Sequence, residues 1–162
     1  MNKRQSLLAL FGTALLALSG CASLGGSGST LADVAAKTPE LSTLNSLIQQ
    51  AGLAETLRGA IPYTVFAPSN EAFKAIPATT LADLAMHPEQ LKSVLSYHVL
   101  PGKVTAAEVV NGQAKTVQGA SVALSRAGSF VTVEDAVVTQ ADLTASNGVI
   151  HVIDRVLMPP KK

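Results

Sequence analysis

Three histidines are the side chains of this 162-residue sequence best suited to acid–base or metal chemistry. His98 lies in the segment LSYHVLPGKV (95–104), and His151 lies in NGVIHVIDRVLMP (147–159); both segments are rich in apolar residues. Imidazole titrates near neutral pH, so a histidine can act as a general base, carry a proton or bind a metal ion. A buried histidine that bonds its neighbours is the alternative, and the elements around it decide between the two.

The pattern around His151 is that of a buried strand, in which alternate residues share a face. His151 then lies with Val149 and Ile153, whereas Asp154 points to the opposite face, so the two form no local acid–base pair. His98 falls at the end of an amphipathic helix, where an imidazole can bond the last carbonyls and favour the helix dipole. Both positions indicate structural histidines that fix the packing between helices and sheet.

Motifs of the common catalytic and metal sites are absent from the sequence. His87 lies in a different segment from His98, no HExxH spacing occurs, and a metal ion needs three or more converging ligands. There is no GxSxG elbow and no phosphate-binding glycine motif, and Glu134-Asp135 fits a solvated hairpin turn. We therefore predict no catalytic, cofactor-binding or metal-binding residue, and no enzyme.

The first residues, MNKRQSLLALFGTALLALSGC, have the pattern of an export signal. Lys3 and Arg4 precede an apolar stretch, residues 7–18, that is too short to span a bilayer as a helix. The segment LSGC resembles a bacterial lipobox, so Cys21 is the predicted lipid attachment site; an ordinary signal peptide with a chance cysteine is the alternative. The predicted organisation is a lipoprotein signal peptide at 1–20, a lipidated cysteine with a Gly/Ser tether at 21–29, and one domain at 30–160.

Composition limits the partners of the chain. Lys+Arg 12 and Asp+Glu 11 give a formal charge of +1 without a basic stripe, so nucleic acid is not an expected partner. Aromatic residues that could stack on sugars are scarce. The expected partners are the membrane, through the N-terminal lipid, and an unidentified envelope or extracellular protein; the oligomeric state stays open. By resemblance to Gram-negative lipoproteins, Ala22 after the cysteine favours the outer membrane, on its periplasmic or its surface face.

Helical patterns dominate the first half of the domain. Thr30 and Asp33 have capping-box spacing. The similar segment that begins at Thr80 and contains Asp83 predicts a second helix capped in the same way. Ser42 is the expected N-cap of a helix between them. The other predicted elements are a strand at 63–66, a helix capped by Ser69, a helix from Pro88 to His98, and a short helix at 106–110.

From Ala114 the hydrophobic period changes to two, which predicts a run of short strands. The strands are expected at 114–118, 121–125, 130–133, 137–140 and 149–157, with turns at Gly119, Ala127-Gly128, Glu134-Asp135 and Asn147-Gly148. Helices followed by a run of mainly antiparallel strands define an α+β fold class.

Three segments resemble the fasciclin (FAS1) domain family and occur in the family's order. YTVFAPSNEAFKAIP (63–77) is similar to the first signature segment, LSYHVLPGKV to the tyrosine–histidine segment, and NGVIHVIDRVLMP to the second signature segment. The resemblance runs from Thr30 to Pro159. It implies a wedge of two mainly antiparallel β-sheets flanked by several α-helices, and a role in adhesion or protein–protein contact.

The resemblance also carries over to individual residues. Those of the two signature segments are expected to be structural: Phe66, Ser69, Asn70, Phe73, Asn147, Gly148, His151 and Asp154. Tyr97 and His98 are the candidate partner contact. The sequence therefore predicts a lipid-anchored envelope protein whose fasciclin domain is an adhesion or protein-binding module. A structural envelope component that contacts polysaccharide is the alternative, and an enzyme with an unrecognised site is the third.

Overall fold

The structure is a computed structural model that describes residues 28–160. Within these residues, six α-helices and seven β-strands form an α+β domain, which confirms the predicted fold class. The helices are α1 (Leu31–Lys37), α2 (Ser42–Gln50), α3 (Ala54–Arg58), α4 (Asn70–Lys74), α5 (Ala78–Met86) and α6 (Pro88–Tyr97). The strands are β1 (Tyr63–Pro68), β2 (Val99–Pro101), β3 (Gly112–Lys115), β4 (Ser121–Ala127), β5 (Phe130–Val133), β6 (Ala136–Ala145) and β7 (Gly148–Ile153).

The predicted signal peptide, Cys21 and most of the tether lie outside the described residues. In the described part of the chain, no helix has the length and hydropathy needed to cross a bilayer. Two short 3-10 helices, Pro39–Leu41 and Ala106–Glu108, complete the elements found between residues 28 and 160.

The strands are hydrogen-bonded in the order β2-β1-β7-β6-β5-β4-β3. β1 and β7 are parallel, and all other neighbours are antiparallel. The pairing of β6 with β7 shifts register between Val138 and Gln140 and again between Gln140 and Leu143. Such bulges bend a strand and increase its twist. The sequence predicted two sheets; in the structure they are two halves of one mixed seven-stranded sheet, joined along β6.

Two apolar clusters lie against opposite faces of the central strands. Val65 belongs to the cluster formed with α1, α2, α3 and α6, whereas its neighbour Phe66 belongs to the cluster formed with β4 and β5. This division follows from the alternation of side chains along a strand. All residues of β7 are buried, as expected of a central strand covered on both faces.

The helix starts show where local sequence signals acted. Thr30 forms the predicted capping box with Asp33, and the Ser69 hydroxyl accepts a hydrogen bond from Ala72 N–H. Thr80 was wrongly predicted as a cap: it lies inside α5, which begins at Ala78 after Pro77. Ser42 was also wrongly predicted as an N-cap, because it is the first residue of α2 itself and the N-cap is Leu41.

The strand predictions were right in kind and inexact in extent. β2 was missed because a strand of three residues directly after a helix is too short to show the alternation of apolar and polar residues that predicts a strand. β3 ends at Lys115. Thr116 and Val117 leave the strand, and Val117 N–H donates a hydrogen bond to Val99 O of β2 at 2.8 Å. β7 ends at Ile153 instead of continuing to Leu157. The next residue, Asp154, forms two hydrogen bonds with Val137 of β6: its carboxylate accepts from Val137 N–H, and its own N–H donates to Val137 O.

Candidate functional site

His98 is the C-cap of α6 and is almost completely buried. Its Nδ1 lies 2.8 Å from the Val94 carbonyl, and Leu157 N–H donates to its Nε2 at 2.9 Å. A carbonyl only accepts and an amide N–H only donates, so Nδ1 carries the proton and the ring is neutral. Burial lowers the pKa of His98 to about 4, with the Val94 hydrogen bond acting in the opposite direction. The imidazole therefore joins α6 to the C-terminal segment and does not add a charge to the helix dipole.

His151 lies in β7 and is equally buried. Its Nε2 lies 2.9 Å from the Val104 carbonyl, and Asp142 N–H donates to Nδ1 at 3.2 Å. The same reasoning places the proton on Nε2. One face of the ring stacks on Phe66, with the ring centroids 5.7 Å apart. The histidine thus holds the loop after β2 against the bulge of β6.

The bulge partner of His151 is a residue that the sequence analysis missed. Asp142 has a positive φ of 58°, a conformation that aspartate tolerates better than most residues. Its carboxylate accepts a hydrogen bond from Ala106 N–H at 2.8 Å. Thr64 is a second missed residue: its buried hydroxyl donates to Gly102 O and accepts from Val104 N–H, both at 2.8 Å. Neither residue has a local sequence signal, because both act on a loop that is distant along the chain.

Both ring nitrogens of the two buried histidines are engaged by backbone groups. Asp154 lies away from His151 and is bonded to Val137 N–H at 2.7 Å. His87, the third histidine, is exposed, and its Nδ1 lies 2.8 Å from Asp83 O. Among residues 28–160, no three His, Cys, Asp or Glu side chains converge on a common point. No imidazole nitrogen of His98 or His151 is free to take a proton from a substrate.

Asn147 connects three elements at one end of the sheet. Its Oδ1 accepts a hydrogen bond from Leu31 N–H at the start of α1, and its Nδ2 donates to Leu57 O and Gly59 O at the end of α3, each at 2.7 Å. Gly148 follows with no room for a side chain, because a Cβ there would overlap the Tyr63 carbonyl oxygen of β1. This pair brings β7 and the first three helices together.

Asn70 has a comparable role at the other end of β1. Its Oδ1 accepts from Thr43 N–H at 3.1 Å, and its Nδ2 donates to Pro39 O at 3.0 Å. The start of α2, which lacks a cap of its own, is therefore capped by a side chain from 27 residues further along the chain. Phe73 follows in α4 and is buried in the helical cluster.

Tyr97 and His98 are 3% and 2% exposed, so their rings contribute little to the surface. The Tyr97 hydroxyl donates to Ser121 O at 3.2 Å and lies near the carboxylate of Glu134. Burial, followed by the charge of Glu134, raises the pKa of Tyr97. This hydroxyl forms part of the wall of a surface cavity of about 530 Å³.

The cavity beside Tyr97, which we call the Tyr97 cavity, has charged and apolar walls. Glu134 and Asp135 come from the β5–β6 turn, Arg155 follows β7, and Met158 belongs to the C-terminal segment. Met158, which is 46% exposed, also lines a second cavity of about 700 Å³ between that segment and the helices α5 and α6. His98 holds the segment in place through Leu157 N–H. Tyr97 therefore forms part of the cavity wall, and the buried His98 positions the C-terminal segment that borders the cavity.

Comparison with known proteins agrees with this architecture. The sequence model of the Fasciclin domain matches residues 39–159. Protein sll1483 of Synechocystis is 43% identical over 136 residues, which cover 83% of this chain and 76% of that protein. The cell surface glycolipoprotein MPB83 of Mycobacterium bovis is 36% identical over 135 residues, which cover 80% of this chain and 60% of that protein.

A solved structure shows the same fold. It is a FAS1 domain pair from the insect cell adhesion molecule fasciclin I, with a TM-score of 0.60 and 24% identity, and the match covers 76% of this chain and 46% of that one. The chain belongs to the fasciclin domain family. Its relatives in that family include the cell surface glycolipoprotein MPB83 and the transforming growth factor-beta-induced protein ig-h3 of Sus scrofa.

Proposed function

We propose that this protein is a lipid-anchored component of the cell envelope whose fasciclin domain binds a partner protein at the Tyr97 cavity. The observation that carries the proposal is the cavity itself, where a carboxylate pair, Arg155 and the exposed Met158 surround a buried tyrosine hydroxyl. Charged groups of both signs around an apolar side chain suit a protein segment, since the apolar contact supplies affinity and the charges supply register.

Binding is a better account of the geometry of the two buried histidines than catalysis would be. A general base needs a nitrogen or carboxylate within hydrogen-bond reach of the substrate. In His98 and His151, both ring nitrogens instead form hydrogen bonds with backbone groups, and these bonds order the segments around the cavity. We therefore assign neither His98 nor His151 a catalytic role.

The anchor is proposed from the sequence and from one relative. Cys21 follows an apolar export signal in a lipobox-like setting. MPB83, which is 36% identical, is a cell surface glycolipoprotein. Acyl chains contribute about 0.8 kcal/mol for each buried CH₂, so an acylated Cys21 would keep the domain at its membrane. By resemblance to Gram-negative lipoproteins, Ala22 after the cysteine favours the outer membrane.

Site-specific photo-crosslinking in intact cells tests the binding surface. A photoreactive residue replaces Asp135 or Met158, which line the Tyr97 cavity, and in a matched control it replaces the exposed Lys92 on the outer side of α6. We expect one discrete crosslinked product from both cavity positions and none from Lys92. The product should diminish when Arg155 is changed to Ala.

Other outcomes point to other functions. The same products from all three positions would contradict a dedicated protein site. Loss of products together with retention of the protein on purified envelope polysaccharide would favour the structural alternative. Acylation is checked separately, by mass spectrometry of the purified protein and by fractionation of a Cys21→Ala variant, which we expect to leave the membrane fraction.

A further inference from the structure

The described chain begins beside the β6–β7 turn, at one end of the sheet. Gly28 lies against Ser146, and Ser146 N–H donates to Ser29 O at 2.9 Å. Lys37 Nζ donates to the Ser29 hydroxyl at 2.9 Å. The described chain therefore enters the domain at a defined place, and the seven residue-to-residue steps between Cys21 and Gly28 span at most about 25 Å.

An exposed apolar loop lies at this same end. Residues 59–62 read GAIP; Ala60, Ile61 and Pro62 are exposed, and Ile61 is 61% exposed. The loop is tied to the entry point because Asn147, next to Ser146, donates to Gly59 O at 2.7 Å and Tyr63 N–H donates to Asn147 O at 3.1 Å. These bonds fix the loop relative to the start of the described chain.

The charges at this end suit a lipid surface. The exposed cations at this end are Lys37, Arg58 and Lys103, and they are matched by three carboxylates, those of Asp33, Glu55 and Glu108. Gly102, which precedes Lys103, donates its N–H to Pro62 O, so this cation is adjacent to the loop. The entry end therefore carries no excess of negative charge that lipid phosphates would repel.

We propose that the loop of residues 59–62 rests on the lipid surface in which the acylated Cys21 is inserted. This inference rests on the lipid anchor proposed above. A single isoleucine would not hold a protein on a membrane by itself. A short covalent tether, however, raises the effective concentration of the loop at the surface to roughly the millimolar range, so that a weak contact is sufficient.

Contact at this loop would set the direction of the binding surface. β1 and β7 run in parallel away from the entry end, over about 20 Å, toward Ser69 and Asp154. The β5–β6 turn and Arg155, which line the Tyr97 cavity, lie at the far ends of their strands. With the loop on the lipid, the Tyr97 cavity faces away from the membrane.

Fluorescence quenching of the full acylated protein tests the inference. Because acylation blocks Cys21, a single new thiol can be labelled with an environment-sensitive dye, at Ala60→Cys in the loop or at Glu71→Cys at the far end. The protein is reconstituted in vesicles of phosphatidylethanolamine and phosphatidylglycerol, and iodide is added as an aqueous quencher. We expect the dye at Ala60→Cys to be quenched severalfold less than the dye at Glu71→Cys, and Ile61→Ser to remove most of this difference.

Matched controls separate lipid contact from other causes. In the non-acylated Cys21→Ser protein in solution, both dyes should be quenched alike, which excludes shielding by the domain itself. Equal quenching at Ala60→Cys and Glu71→Cys on vesicles, or no effect of Ile61→Ser, would overturn the inference and leave the anchor standing. A purified protein without acyl groups on Cys21 would overturn the anchor and this inference together.

Discussion

At the scale of single residues, the two buried histidines act through hydrogen bonds to the backbone. His98 receives Leu157 N–H only while its Nε2 is unprotonated, and His151 receives Asp142 N–H under the same condition at Nδ1. A buried amide left without an acceptor costs about 1–3 kcal/mol. At His98, where burial lowers the pKa to about 4, the neutral ring is therefore part of the folded structure.

We predict that the free energy of unfolding falls by about 2 kcal/mol as the pH is lowered from about 6.5 to about 4.5. The unfolded chain takes up a proton at His98 in this window, whereas the folded chain does not, because burial lowers the folded pKa of His98 to about 4. The stabilisation is fully present above the ordinary histidine pKa and is lost as the pH approaches the folded one. Urea titrations across this pH range measure the loss.

Two variants assign this pH dependence. The His98→Gln protein should be less stable than the wild type at neutral pH. Its free energy of unfolding, however, should differ little between the two pH values. His87→Gln, at an exposed histidine, should retain the wild-type change. A pH dependence as large in His98→Gln as in the wild type would show that the titrating group is another one.

At the scale of elements, the helices are joined to the sheet by a few polar side chains at their ends. The sequence identified the caps that lie within one turn, such as Thr30 and Ser69, because the partner is a neighbouring residue. It placed Asn70 and Asn147 in structural segments without revealing what they bond. Those partners lie 27 to 116 residues away along the chain, and only the packed helices bring them within reach.

Asn147→Ala should lower the free energy of unfolding by about 3 kcal/mol, since it removes a cap of α1 and leaves the carbonyls of Leu57 and Gly59, at the end of α3, without their donor. Asn70→Ala should cost about 1 kcal/mol, because it removes the acceptor of Thr43 N–H, whereas water can replace its amide at the exposed Pro39 O. Chemical denaturation measures both. Asn45→Ala, on α2, is the control and should change stability by less than about 0.5 kcal/mol. Equal losses at all three positions would contradict the assignment of Asn147.

The segments that begin at Thr30 and Thr80 offer a matched pair. Thr30→Ala should cost about 1 kcal/mol, because it removes the capping box of α1. Thr80→Ala should be neutral or slightly stabilising, because Thr80 lies inside α5, where alanine has the higher helix propensity. Thermal unfolding of the two variants measures the difference. A comparable loss at both positions would mean that α5 starts at Thr80 in solution.

At the scale of the whole molecule, the parallel pair β1 and β7 is the centre on which both apolar clusters are built. β3 is an edge strand at the end of the sheet order, and its residues are mostly exposed. Regions with few buried contacts open locally, whereas a central strand opens only with the whole domain.

Native-state hydrogen exchange should reflect this arrangement. The amides of Val65 and Val152 should exchange only through global unfolding, with a free energy equal to that from urea titration. The amides of Gly112–Lys115 should exchange through local opening at a much lower free energy, while β4 and β5 stay protected. Equal protection of β3 and β7 would show that the sheet unfolds without a weaker edge.

The sequence by itself determined the α+β class, the placement of most helices ahead of most strands, and the apolar surroundings of His98 and His151. These follow from hydrophobic period and capping residues, which act within one or two turns of the chain. The signature segments were also sufficient to place the chain in its family.

Tertiary structure alone decided how these elements are used. The parallel pairing of β1 with β7, the backbone partners of His98 and His151, and the Tyr97 cavity all join residues that are distant in sequence. The neighbouring positions of the chain entry and the loop at residues 59–62 have the same origin, through Asn147. No local preference encodes such contacts, because each one exists only after the two apolar clusters have packed around the central strands.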